Sequence, residues 1–167
     1  MRRIFLRSRT ADIVAGGVVV LLLLAVAVIL PPEAPDRLAG RGSAIDGDSL
    51  RLSGHELRLR GIDAPEFRQD CDLDGQVWAC GRAARDALAG LLGRGDIECD
   101  GHGHDRFGRV LATCRAGATE INEWLVENGW AVDFGGYAMA EARAHKARRG
   151  IWRARFERPA DWRAADR

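Results

Sequence analysis

The first thing this sequence lacks is a surplus of positive charge. Its 167 residues carry 25 Lys and Arg against 24 Asp and Glu, a formal net charge of +1. Arg2, Arg3, Arg7 and Arg9 all precede an apolar run and have only Asp12 beside them, so the remainder holds 21 basic and 23 acidic residues, a net charge of −2. Proteins that hold nucleic acid by bulk electrostatics are basic overall. That class is excluded, and an anionic ligand would have to be met by a local site, helped by the arginines after Glu141. Length is short as well: without the apolar run about 130 residues remain, enough for one domain with a single core and not for two. There is no internal repeat, which sets repeat architectures aside.

Ile13 to Leu30 is an unbroken stretch of Ile, Val, Leu, Ala and Gly. As a helix it would be about 27 Å long, close to the thickness of a bilayer's hydrocarbon core. With no polar face and a basic flank, it reads as one N-terminal transmembrane helix or signal anchor over 13–30 rather than a buried core helix. The positive-inside rule keeps the basic N-terminus, 1–12, cytoplasmic and sends Pro31 onward across. The expected protein is therefore single-pass in the inner (cell) membrane, with its domain periplasmic or extracellular. The rival is secretion after cleavage at Ala25-Val26-Ala27. Pro31 to Gly42 is rich in Pro, Gly and charge and reads as a tether over 31–42, leaving a domain over 43–167.

Within that domain, Ser49 to Leu52 and Glu56 to Gly61 alternate apolar and polar residues around Ser53-Gly54, the pattern of a hairpin. Leu57 and Leu59 take one face, Arg58 and Arg60 the other. An acidic loop runs from Glu66 to Cys80. Ala84, Ala87, Leu88, Leu91 and Leu92 then repeat at helical spacing up to Gly93. Asp96 to Cys99 and Val110 to Cys114 read as strands. A helix is expected from near Thr119, with that hydroxyl as its cap, and another over Tyr137 to Arg149. Trp152, Phe156 and Trp162 are placed to pin the tail to the domain.

Four cysteines on the non-cytoplasmic side favour disulfides. Of three pairings, Cys71 with Cys80 and Cys99 with Cys114 is preferred, since each closes a short loop and the second joins facing strands. The rival is zinc held by Cys99, His102, His104 and Cys114, at a spacing no standard finger uses. Asp70 to Gly75 matches the opening of an EF-hand loop, but the twelfth position is Gly81 where a bidentate Glu is needed, so at most a weak second ion is expected there.

Three polar motifs sit at strand boundaries: Asp46-Gly47-Asp48-Ser49, the turn from Arg58 through Asp63-Ala64-Pro65-Glu66, and Asp105-Arg106-Phe107-Gly108-Arg109. In this order, and with Cys80-Gly81, Asn122 to Trp130 and Gly150-Ile151-Trp152, they resemble the thermonuclease, or staphylococcal-nuclease-like, family over Ala44 to Trp162. The resemblance implies a mainly β, α+β fold, a five-stranded OB-fold barrel with about three helices. It implies a calcium-dependent phosphodiesterase, an endonuclease that hydrolyses DNA or RNA to 3′-phosphate ends. Asp48, Asp63 and the Ala64 carbonyl would be calcium ligands. Arg58 and Arg109 would bind the phosphate through their planar forks, and Glu66 would orient or deprotonate the attacking water. Phe107 stands where the family often has Tyr, beside Arg106, and Phe134 and Tyr137 are candidates for a base pocket, with core packing as an equal reading. Nucleic acid and the membrane are the expected partners, with no obligate protein partner. The other readings are a non-catalytic OB-fold module that binds nucleic acid and a structural module of the envelope.

Overall fold

The computed structural model describes residues 18–19 and 37–165. Among the described residues no helix is long and apolar enough to cross a membrane. The expected span over 13–30 lies outside them except for Val18 and Val19, which are helical. Pro35–Arg167 forms a compact unit of its own, built on one curled main sheet.

That sheet contains β1 (Arg37–Gly40), β2 (Gly42–Ala44), β3 (Ser49–Leu52), β4 (His55–Leu59), β8 (Ile97–His104), β9 (Val110–Ala116) and β10 (Thr119–Glu120). The order is β1-β8-β9-β4-β3-β2, with β10 on β9. Among the described strands only β4 and β9 run parallel. Two small sheets complete the β structure: β5 (Ile62–Asp63) with β11 (Val132–Asp133), and β6 (Cys71–Leu73) with β7 (Gln76–Trp78). Among the described residues of this unit the helices are α1 (Cys80–Leu92), α2 (Ile121–Glu127), α3 (Ala138–Lys146) and α4 (Pro159–Ala165), with one 3-10 turn at Gly150–Arg153.

The alternation read from the sequence places Leu50, Leu52, Leu57 and Leu59 inside at 0–1% exposure. They meet Leu88 and Leu91 of α1 and Ile121 and Leu125 of α2 in one core cluster. Burying apolar side chains of this size contributes about 1.5–3 kcal/mol each, which curls the sheet around them into a half-barrel. A buried Asn122 ties the layers together. Its Oδ1 accepts from the Cys114 N–H at 3.1 Å, and its Nδ2 donates to the carbonyls of Arg60 and Ala112.

The architecture exceeds the five strands and three helices that the resemblance implied. The expected tether over 31–42 is strand by Arg37, because β1 pairs with β8 along Arg37↔Asp100 to Gly40↔Ile97. The fourth helix starts at Pro159, whose fixed φ suits a first helical position. Thr119 is no cap: it pairs with Ala116 in β10, and α2 begins after Glu120 without a side-chain cap. Helix α3 stops short of Arg149 because Arg148 takes a left-handed φ of 50°. The acidic loop before Cys80 is the β6–β7 hairpin, turned by Asp74 and Gly75 at φ 54° and 83°, the two positive angles of a tight hairpin turn.

Candidate active site

The Asp46-Gly47-Asp48 turn leads into β3. The Asp48 N–H donates to Asp46 Oδ1 at 3.0 Å, and the Asp48 carbonyl accepts from the Leu59 N–H at 2.8 Å, which sets the turn against β4. Gly47 permits this: a Cβ there would lie 2.6 Å from the Ala64 Cβ and 2.9 Å from the Ala84 Cβ. The turn therefore packs close enough to bury Asp48, at 2% exposure, beside Asp63, also at 2%.

Arg58 answers both carboxylates from β4. Its Nη1 donates to Asp48 Oδ1, and its Nη2 donates to Asp63 Oδ1 at 2.8 Å. The Ala64 N–H donates to Asp48 Oδ2 at 2.7 Å and the Ser49 hydroxyl to Oδ1 at 3.3 Å. Burial pushes the Asp48 carboxyl up to about 8, with Arg58 opposing. Burial works against the charge on Arg58 too, but Asp48 and Asp63 outweigh it and hold the guanidinium above its ordinary value.

Glu66 lies on the turn after Pro65, and this turn rests on the start of α1. A Cβ at Gly81 would fall 1.8 Å from the Glu66 carbonyl oxygen, so only glycine lets the helix approach so closely. Gln69, fully buried, locks the main chain here. Its N–H donates to the Glu66 carbonyl at 2.7 Å, and its Oε1 accepts from the Glu66 N–H at 3.2 Å. The Glu66 side chain meets Arg163 of α4, whose Nη1 donates to Oε1 at 2.9 Å.

The third motif is a turn closed by its own aspartate. Asp105 Oδ1 accepts from the N–H groups of Phe107 at 2.9 Å and Arg109 at 3.0 Å, and Oδ2 accepts from Arg109 Nε at 2.9 Å. Arg109 Nη1 also donates to the Ser49 hydroxyl at 3.3 Å, so Ser49 links it to Asp48. Phe107 is 69% exposed, with the Arg106 and Arg109 guanidiniums 4.7 and 5.6 Å from its ring centroid.

A cleft of about 1050 Å³ gathers these parts, lined by Arg58, Glu66, Arg106, Phe107, Arg109 and Phe134 among others. Asp48, Asp63 and Ala64 do not line it, but they hydrogen-bond to one another or to Arg58, which does. Tyr137 is the expected site residue that stays away. Its hydroxyl donates to Glu120 Oε1 at 2.8 Å and its ring packs against the core. Phe67 and Trp162 line the cleft unforeseen. So does Arg163, which places a fork on Asp63 (Nη1 to Oδ1 2.9 Å, Nη2 to Oδ2 3.0 Å) as well as its bond to Glu66. No motif marked Arg163 or Gln69; the only sequence signal for Arg163 was the tail's Trp162 beside it.

The donor set fits a hard cation. Asp48 and Asp63 are buried carboxylates converging on one guanidinium, oxygen donors of the kind calcium takes. The zinc alternative is overturned: Cys99 and Cys114 form a disulfide, as do Cys71 and Cys80, and the His102 ring pairs with Thr113 at 3.1 Å. Among the described residues no cluster of three or more His, Cys, Asp or Glu side chains is placed to hold a metal. In the acidic hairpin, Asp72 Oδ1 accepts from the Gly75 N–H at 2.6 Å and Oδ2 from Arg155 Nη2 at 2.5 Å.

Residues 56–154 match the family described as staphylococcal nuclease homologue. The chain is 39% identical over 132 residues to the succinoglycan biosynthesis protein ExoI of Rhizobium meliloti (strain 1021), covering 74% of this chain and 69% of that protein. It is 33% identical over 124 residues to the probable staphylococcal-like nuclease CAN4 of Oryza sativa subsp. japonica, covering 70% of this chain but 23% of the rice protein. Protein ParB of Escherichia coli is 33% identical over 129 residues, 65% of this chain and 68% of its own length. The matched span takes in Arg58, Asp63, Glu66 and Arg109, and the chain belongs to the staphylococcal nuclease homologue family.

Proposed function

We propose that the chain is a calcium-dependent nuclease, an endonuclease on an OB-fold barrel that hydrolyses phosphodiester bonds of DNA or RNA to 3′-phosphate ends. The observation that carries this reading is the cleft in which Arg58, Arg109 and Glu66 converge beside the buried pair Asp48 and Asp63. Solvated loop charges would not be buried, paired and shared among three separate motifs. Two relatives' names speak of other things, succinoglycan biosynthesis and ParB, so the nuclease reading rests on the site and on the rice proteins' names.

Hydrolysis adds water to phosphorus and breaks the bond to the 5′ oxygen, so negative charge grows on the equatorial oxygens. Arg58 and Arg109 meet that charge with planar forks, held in place by Asp48 and Asp63 on one side and by Asp105 on the other. Asp48, Asp63 and the Ala64 carbonyl would hold the calcium, which when bound would supply a further positive charge against the phosphate. Glu66 orients, or takes a proton from, the attacking water. Phe107 and Phe134, each 69% exposed, offer flat surfaces on which bases stack, with Arg106 beside the first.

The N-terminal run would hold the protein in the inner membrane with this domain on the far side. A mature N-terminus at Val28 in a soluble fraction would show cleavage and overturn the anchor. The enzymatic reading is tested on single-stranded and duplex DNA and RNA with calcium or chelator. Cutting with calcium that stops in chelator is expected; full activity in chelator would sink the cation, and binding without cutting would leave a nucleic-acid-binding module.

A further inference from the structure

The family match ends at residue 154, yet the structure carries the next ten residues back to the proposed site. Arg155 pairs with Asp72 through both backbone hydrogen bonds at 2.8 Å. Phe156 stacks edge-on against Trp152 with ring centroids 5.2 Å apart. The Glu157 carbonyl accepts from Gln69 Nε2 at 2.7 Å, and Arg158 reaches Glu141 at 3.2 Å. Pro159 is buried, and α4 then brings Arg163 into the cleft. A tail stitched down at five successive residues is a built element rather than an appended one.

The Arg163 contacts complete a chain of alternating charge: Asp48, Arg58, Asp63, Arg163, Glu66. Each guanidinium bridges two carboxylates. Glu66 depends on this more than the aspartates do, because Arg163 is the one described side chain bonded to its carboxylate and Gln69 holds only its main chain. A Glu side chain on a turn, 30% exposed and with three rotatable bonds, has no preferred direction without such a partner.

Resting on the nuclease reading, we propose that Arg163, which lies outside the matched residues 56–154, is a positioning residue that holds the Glu66 and Asp63 carboxylates in their working geometry. Two features of guanidinium suit it to this. Its fork takes both oxygens of Asp63 while one nitrogen also reaches Glu66, and a lysine ammonium, a single point charge, has no such planar fork. Misplacing a reacting group by about an ångström costs up to about a hundredfold in rate, so the loss falls on turnover and not on substrate binding.

Steady-state kinetics of the full chain on single-stranded DNA with calcium test this. Arg163→Ala is expected to lose at least about tenfold in kcat with KM within about twofold, and millimolar guanidinium ion to restore part of the loss in the variant but not raise the wild type. Arg163→Lys, which keeps the charge and so protects the fold, is expected to lose at least about fivefold. Either variant turning over within about twofold of wild type, a loss confined to KM, or a loss that guanidinium leaves untouched would overturn the role. So would turnover at or above wild type together with tighter calcium binding by calorimetry, which would make Arg163 the cation's competitor. A wild-type chain that cuts nothing would sink the nuclease reading and this role together; a wild type that cuts while Arg163→Ala keeps pace sinks the positioning role alone.

Discussion

Arg58→Ala removes the single cation shared by two carboxylates that are each 2% exposed, and its cost can be worked from their remaining partners. Breaking a buried ion pair by deleting one member costs about 3–5 kcal/mol, because the charge left behind is uncompensated. Here Asp63 keeps the Arg163 fork and Asp48 keeps the Ala64 N–H. The rise of the Asp48 carboxyl to about 8 already includes the opposing pull of Arg58, so without Arg58 burial acts unopposed and the group is held protonated. These compensations place the loss near the lower end, about 3 kcal/mol, a large part of a typical domain stability of about 5–15 kcal/mol. For a unit of this size that is a fall of roughly 10–15 °C in melting temperature. The assay is thermal and urea unfolding of the Pro35–Arg167 unit in chelator, followed by circular dichroism. Adding Asp48→Asn to Arg58→Ala should recover at least about 1 kcal/mol, since the neutral amide needs no cation and the two sites are in contact. Nuclease turnover should fall by at least about a hundredfold, the scale of losing one donor to a developing oxyanion. An Arg58→Ala protein within about 1 kcal/mol of wild type would refute the premise that the pair is buried and charged.

Three further outcomes are expected. Glu66→Gln should cut turnover while leaving substrate affinity near normal, because the amide keeps the shape and loses the charge; affinity falling as far as rate would count against Glu66 as the group that orients water. Calorimetry with calcium should detect one functional site, lost in Asp48→Ala with Asp63→Ala; micromolar binding that survives there and disappears on Asp72→Ala would place a second ion in the acidic hairpin. Asp105 supplies a pH test: burial opposes its ionisation, but hydrogen bonds from Arg109 and Phe107 outweigh this and hold the carboxyl below its ordinary value of 3.8. With the folded value depressed, the stabilisation is present above the unfolded value and is lost as pH falls through the folded one. Hydrogen exchange at the Phe107 and Arg109 amides should therefore quicken, beyond the intrinsic pH effect, only below about pH 4; loosening between pH 5 and 6 would sink the assignment.

Much of this protein is legible in sequence because it depends on neighbours in the chain. The two-residue alternation of a strand put Leu57 and Leu59 inside and turned Arg58 to the other side. The Asp105 turn is closed by bonds to residues two and four positions on, and the preferred cysteine pairs closed separations of 9 and 15 residues. What stayed open or went unseen depended on contacts that only the folded chain makes. Tyr137 and Phe134 looked equivalent as aromatics near one turn; the fold gave Tyr137 a hydroxyl partner in Glu120 and left Phe134 in the cleft. Residues 37–40 looked like tether, since four residues of composition do not show that β8 has an edge to extend. Arg163 meets Glu66 across 97 residues and Asp63 across 100. An arginine in a short helix carries no local mark of its partner, because a side chain's partner across the fold is set by where packing delivers the helix, and that is decided only when the whole core closes.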